Sequence, residues 1–275
     1  MTIRVWVNGR LVGNEPSIGA LDHSVTVGDA VFETCKVENN EVFALQRHHD
    51  RLDRSLTGLG LPVADRDRLA EGIAAVLAEP LEFGRIRYSV TAGPGPLGSD
   101  RGDAEPTYIV LAGPVPRPGE TTAIATVPWT RNENSAVVGL KTTSYAENVV
   151  ALAHAKERGG SEAIFANTRG ELCEGTGSNI FVVVDGEVLT PPVESGLLPG
   201  ITRELAILCA RAEQVPVREA TLPLSVLETA DEVFITSSTR DIQAVSRVDQ
   251  REIAAPGPVT RRVAQAFATH AAALA

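Results

Sequence analysis

Ile3, Val5 and Val7 alternate with polar residues up to Asn8-Gly9. That is the pattern of a half-buried strand closed by a type I' hairpin turn. A second hairpin is predicted from Val31–Val37 and Glu41–Ala44, turning at Asn39-Asn40. From about Gln46 the period changes. Leu45, Leu52, Leu56 and Leu59 recur at helical spacing, and Gly58 and Gly60 mark the end of the helix. Another helix is expected near Arg66–Glu79, then strands at Arg85–Ala92 and Thr107–Ala112. Between those strands Gly93-Pro94-Gly95-Pro96-Leu97-Gly98 reads as an irregular loop, since neither Pro nor Gly supports a regular element there.

Three prolines within Pro114–Gly119 interrupt the pattern. A linker over 114–121 is expected there, dividing a smaller N-terminal domain, 1–113, from a larger one, 122–275. Beyond it come a strand near Ala123–Pro128 and a helix over Tyr145–Arg158, with Ser144-x-x-Glu147 as a capping box. Strands follow at Ala163–Asn167, Glu171–Cys173, Asn179–Val184 and Glu187–Thr190, with a turn at Asp185-Gly186. A helix after Pro199-Gly200, a strand at Glu232–Thr236 and an Ala-rich helix complete the chain. Hairpins first, helices interspersed and no repeating βαβ unit imply an α+β architecture with two domains.

Composition narrows the function. The 275 residues carry a net charge of -10, and that excludes the basic face of a nucleic-acid binder. No apolar run approaches the roughly 18 residues of a membrane span, and residues 1–20 lack the basic and apolar regions of a secretion signal. Cys35, Cys173 and Cys209 are odd in number and far apart, which fits free thiols. The chain is therefore expected to be cytoplasmic. His48-His49-Asp50 offers no metal site, because adjacent helical histidines point about 100° apart and no third ligand is suitably spaced. Gly175-Thr176-Gly177 lacks the strand, turn and helix of a dinucleotide fold, and no Gly-x-Ser-x-Gly elbow marks a hydrolase.

Lysine usage is sharper evidence. Lys and Arg total 25, yet only Lys36, Lys141 and Lys156 are lysine. Arginine does not form imines, so in such a chain a lysine is a better than usual candidate for amine chemistry. Lys156 lies near a helix C-terminus, where any cation is favourable, and Lys36 lies within a strand. Lys141 stands just before a helix among Gly139, Thr142, Thr143 and Ser144, a setting that suits an amine facing a pocket, though a solvated loop lysine would look the same. Glu174 closes a strand before a run of small residues, and a carboxylate can keep a pyridine nitrogen protonated. Pro199-Gly200-Ile201-Thr202 opens a helix whose free N–H groups suit a phosphate. Ser237-Ser238-Thr239 and Arg51 could serve the same anion. Each alone has an ordinary explanation as a hairpin carboxylate, a helix start, a polar turn or a surface arginine. Together they match what a phosphorylated pyridine aldehyde needs.

The strings Gly139-Leu140-Lys141-Thr142-Thr143-Ser144-Tyr145, Cys173-Glu174-Gly175-Thr176-Gly177-Ser178-Asn179-Ile180-Phe181 and Leu198-Pro199-Gly200-Ile201-Thr202-Arg203 resemble the class IV aminotransferases. Gly28-Asp29-Ala30-Val31-Phe32-Glu33 and His48-x-x-Arg51-Leu52 match two further motifs, so the resemblance spans nearly the whole chain. That family is fold type IV of the pyridoxal 5'-phosphate (PLP) enzymes and includes D-amino acid aminotransferase, branched-chain aminotransferase and 4-amino-4-deoxychorismate lyase. The resemblance implies a homodimer whose Gly93–Asp100 loop closes a partner's site. It makes Lys141 the residue that binds the cofactor as a Schiff base and carries protons, and Glu174 the partner of the ring nitrogen. Arg51, Ile201, Thr202 and Ser238 become phosphate ligands, with Ser237 beside them and Asn179 near the ring. Phe32 takes a pocket-wall position that is often Tyr in the D-amino acid enzymes, and their Arg-x-His carboxylate clamp is not evident. Arg87 lies where branched-chain aminotransferases have an arginine, so it is the expected substrate anchor. The expected activity is transfer of an amino group from a D-amino acid, with (R)-amines as further donors, to a 2-oxo acid. Thr34 matches a threonine that the lyases place near substrate, and this keeps release of pyruvate from aminodeoxychorismate open as the alternative.

Overall fold

In the computed structural model, which describes residues 3–13 and 15–275, the chain divides into two compact units. One comprises 1–117 with 140–145, and the other 118–139 with 146–275. Mixed helices and strands in this arrangement make the fold α+β.

Among the described residues, the first unit is built on a six-stranded sheet. Its order from one edge is Arg10–Val12, Arg4–Val7, Tyr108–Pro114, Phe83–Thr91, Ala30–Glu38 and Glu41–Val42, all antiparallel. Both predicted hairpins are present. Asn8, Gly9, Asn39 and Asn40 all adopt positive φ, as type I' turns require. Helices Leu45–Gly58 and Arg66–Val76 cover one face, burying Leu52, Leu56, Leu69 and Val76 against Val31, Cys35, Val37, Ile86 and Tyr88. Leu140–Tyr145, in the span the sequence assigns to the larger domain, joins this unit because it pairs with the strand Ala30–Glu38. Val31 and Thr142 form a bridge there, Phe32 N donates to Lys141 O, and Thr143 N donates to Ala30 O.

The second unit holds a nine-stranded sheet, eight strands of which run in the order Val217–Glu219, Glu187–Thr190, Asn179–Val184, Glu232–Ser237, Asp241–Val248, Thr121–Arg131, Glu162–Asn167 and Leu172–Gly175. Three of its pairings are parallel, which the run of predicted hairpins does not foreshadow. Ile124, Ile164, Ile180, Val182, Ile235 and Val245 form its core. Helix Ala146–Glu157 follows Lys141, and the two residues of the predicted capping box both make contacts outside the helix start. Ser144 Oγ donates to Gly28 O, and the Glu147 carboxylate takes Arg131. All three cysteines are buried free thiols. Among the described residues, no helix is long and apolar enough to cross a membrane.

Candidate active site

The candidate residues fall into two groups, one in each unit. In the first, the Lys141 backbone is held on two sides, its carbonyl by Phe32 N at 3.0 Å and its N–H by Ser55 Oγ at 3.1 Å. The side chain extends until Nζ lies 4.4 Å from the Phe32 ring centroid and 3.4 Å from the Tyr145 hydroxyl. Tyr145 meets the Phe32 ring edge-on, with centroids 5.1 Å apart. Strand register supplies the rest. Thr34 pairs with Arg87 and Phe32 with Ser89, and directly paired residues share a sheet face. The Arg87 guanidinium stacks 3.6 Å from the centroid of Phe32. Desolvation holds its pKa below the ordinary arginine value, and among the described residues no carboxylate pairs with it. A half-buried guanidinium without a counter-ion beside a lysine amine is suited to a carboxylate-bearing ligand.

The opposite face of the same strand carries Val31, Glu33, Cys35 and Val37, and Glu33 is fully buried there. Arg51 grips it with two hydrogen bonds, Nε to Oε1 at 2.8 Å and Nη2 to Oε2 at 2.7 Å. Burial alone would push the Glu33 carboxyl up, but Arg51 and a 2.7 Å bond from His48 Nδ1 hold it far below its usual range. Burial also lowers the His48 imidazole, so the ring is neutral near pH 7 and donates through Nδ1–H. Arg51, read from the sequence as an anion contact, is thus oriented by a buried carboxylate. Motif matching named Glu33 without giving it a role. Its place among three apolar residues of one face was the signal for a buried ion pair.

In the second unit the peptide of Leu198 joins two predicted residues. Its N–H donates to Glu174 Oε2 at 3.0 Å, and its carbonyl accepts from Asn179 Nδ2, also at 3.0 Å. Asn179 faces Thr236 across the sheet, next to Ser237 and Ser238. Pro199-Gly200 then leads into the helix Ile201–Ala212, whose start has no side-chain cap. Ile201 and Thr202 are buried in its first turn. Gly200 is required by contact, since a Cβ there would fall 1.9 Å from Asn179 Oδ1. Thr236 Oγ1 is buried without a hydrogen-bond partner. An uncapped helix start, a buried orphan hydroxyl and a fixed carboxylate are the donor and acceptor set that a phosphorylated pyridinium takes. The residues present fit PLP. Of the remaining lysines, Lys36 is buried beside Phe43 and Glu38, and Lys156 is exposed at the end of its helix. Tyr145 and Arg131 carry contacts to Lys141 and Glu174 that the motifs did not assign.

The family model for class IV aminotransferases matches residues 30–248. A protein of Methanocaldococcus jannaschii described as a putative branched-chain-amino-acid aminotransferase is 33% identical over 274 residues, covering 96% of this chain and 95% of that protein. A D-alanine aminotransferase of Listeria monocytogenes is 30% identical over 287 residues, covering 96% and 95%. Among solved structures, the branched-chain aminotransferase of Thermoproteus uzoniensis with norvaline superposes with a TM-score of 0.89 at 30% identity, over 98% of this chain and 95% of that one.

Proposed function

The chain belongs to the class IV aminotransferases, PLP-dependent transaminases, and from that premise we propose that Lys141 bonds the cofactor and that the Phe32–Thr34–Arg87 face binds the substrate. The observation that carries this reading is the arrangement around one ring. The Lys141 amine lies 4.4 Å from Phe32, and Arg87, with no carboxylate partner among the described residues, stacks on Phe32 at 3.6 Å. PLP supplies an aldehyde that bonds amines and a pyridinium ring that withdraws electrons from them. Arg87 anchors the donor carboxylate, and Phe32 and Thr34 wall the donor's side chain. The Lys141 amine, kept in place by Tyr145 Oη, takes the proton from the donor α-carbon. Glu174 would hold the ring nitrogen, with Asn179 as a further ring contact, and Ile201, Thr202, Ser237, Ser238 and Arg51 would serve the phosphate. We read the enzyme as a cytoplasmic homodimer.

For the donor, two readings stand. A branched-chain or similar apolar amino acid is favoured by the 33% identical relative, and Arg87 is the anchor that the resemblance to branched-chain enzymes leads us to expect. A D-amino acid, with (R)-amines beside it, is favoured by the 30% identical D-alanine aminotransferase. The acceptor in either case is a 2-oxo acid. Purified holoenzyme given L-leucine, D-alanine or (R)-1-phenylethylamine decides between them through the loss of the visible absorbance of the lysine-bound cofactor. Fastest conversion by L-leucine is the expected result. Faster conversion by D-alanine installs the second reading. No conversion by any donor, with pyruvate released from aminodeoxychorismate, would overturn both.

A further inference from the structure

Arg131 ends the strand Thr121–Arg131, and its side chain is only 15% exposed. Its guanidinium lies 4.0 Å over the Phe165 ring. Nη1 donates to the Glu147 carboxylate, and Nη2 donates to Asn148 Oδ1. Nε is buried and stands 3.3 Å from Glu174 Oε1, close enough for ion pairing but not aligned as a hydrogen bond. Asn148 in turn donates to Thr176 O at 2.9 Å, two residues beyond Glu174. Glu174 is therefore approached from two directions, by Leu198 N on one oxygen and by Arg131 on the other.

We propose that Arg131 is a positioning residue for Glu174, holding its carboxylate in the orientation it presents to the cofactor's ring nitrogen. This rests on the reading of Glu174 given above. A carboxylate favours a protonated pyridine nitrogen only while it is aimed at that nitrogen. Phe165 closes the far side of the guanidinium, so the rigid fork cannot turn away from Glu147, Asn148 and the neighbouring Glu174. If Arg131 is removed, Glu174 loses the guanidinium beside Oε1 and gains rotamer freedom.

The competing account is a plain staple joining the strand end to the first turn of the helix Ala146–Glu157. A double-mutant cycle separates the two. Arg131→Met, Glu174→Gln and the double variant are loaded with PLP labelled with ¹⁵N in the ring, and the nitrogen chemical shift and PLP dissociation constant are measured. The proposal expects a protonated-ring signal in the wild type and an unprotonated one in Glu174→Gln. Arg131→Met is expected to move the signal toward the unprotonated position and to weaken PLP binding about tenfold. In the Glu174→Gln background Arg131→Met should add little to either readout. Arg131→Lys, which keeps the charge and loses the fork, is expected between the two. Should Arg131→Met not fold, the cycle is run with Arg131→Lys. A nitrogen signal unmoved by either Arg131 variant, or binding losses that add fully to those of Glu174→Gln, overturns the proposal in favour of the staple. A Glu174→Gln enzyme with wild-type nitrogen signal overturns the reading of Glu174 itself and the proposal with it.

Discussion

Glu33 sits on the apolar face of its strand with Val31 and Cys35, and its charge is tolerable there because Arg51 and His48 meet it. Breaking a buried ion pair from one side costs about 3–5 kcal/mol, because the other charge is left without a partner. Glu33→Gln is therefore expected to destabilise the fold by that amount at pH 7, read by urea unfolding. The sign with pH follows from the lowered carboxyl. Its stabilisation is present above the unfolded value, near 4.3, and is lost as pH falls through the lower folded value. The gap between wild type and Glu33→Gln should thus narrow at pH 3, and a gap that widened on acidification would contradict the assignment. Lys141 allows a more direct test. Lys141→Ala should abolish the visible absorbance of the bound cofactor, while Lys36→Ala and Lys156→Ala should retain it. Borohydride reduction and peptide mapping that labelled either other lysine would remove Lys141 from its role.

Within elements, a strand position and a helix start decide most of the chemistry. Gly200 lets the helix Ile201–Ala212 begin against Asn179, and a methyl group added there has 1.9 Å of room. Gly200→Ala should displace Asn179 or the first turn and weaken PLP binding about tenfold, or roughly 1.4 kcal/mol. Gly177→Ala, with nothing within 4 Å of the added carbon, should leave binding unchanged in the same titration. Thr34 shares a face with Phe32 and Arg87, so Thr34→Val should alter donor preference while keeping single-turnover rate within about tenfold. Much of this was legible beforehand, because short-range patterns encode it. Alternation and Asn-Gly or Asn-Asn turns located both early hairpins, and the motif strings reached Lys141, Glu174 and Gly200. What depends on distant neighbours was not legible. Neither the strand Asp241–Val248 nor its parallel pairing with Thr121–Arg131 is specified by a local pattern. Leu140–Tyr145 was placed with the larger domain because its partner strand lies more than a hundred residues earlier. At Ser144 and Glu147 the local pattern gives no sign of the tertiary contacts, in which Ser144 Oγ donates to Gly28 O and Arg131 donates to Glu147.

For the whole molecule, assembly is the remaining question of scale. The helix Ala146–Glu157 buries Asn148, Ala151 and Ala155 but leaves Val149 68% and Val150 54% exposed. Trp129, Val137 and Val138, in the same unit and close in sequence, are exposed as well. Single exposed apolar residues are ordinary, whereas several within one short stretch are the composition of an interface core. With a net charge of -10, copies of this chain repel one another at long range, so association has to come from apolar contact at short range. We therefore expect light scattering to give about twice the 29.1 kDa chain mass at physiological salt. Raising the salt should tighten the dimer by screening that repulsion. Val149→Asp combined with Val150→Asp should shift the mass toward the monomer, because it buries charge where the apolar contact forms. Val63→Asp, at a residue 62% exposed in the loop before the helix Arg66–Val76, should not. A wild-type protein that scattered as a monomer while fully active would remove the second subunit from the working enzyme. A dimer indifferent to both valines would move the interface to another face.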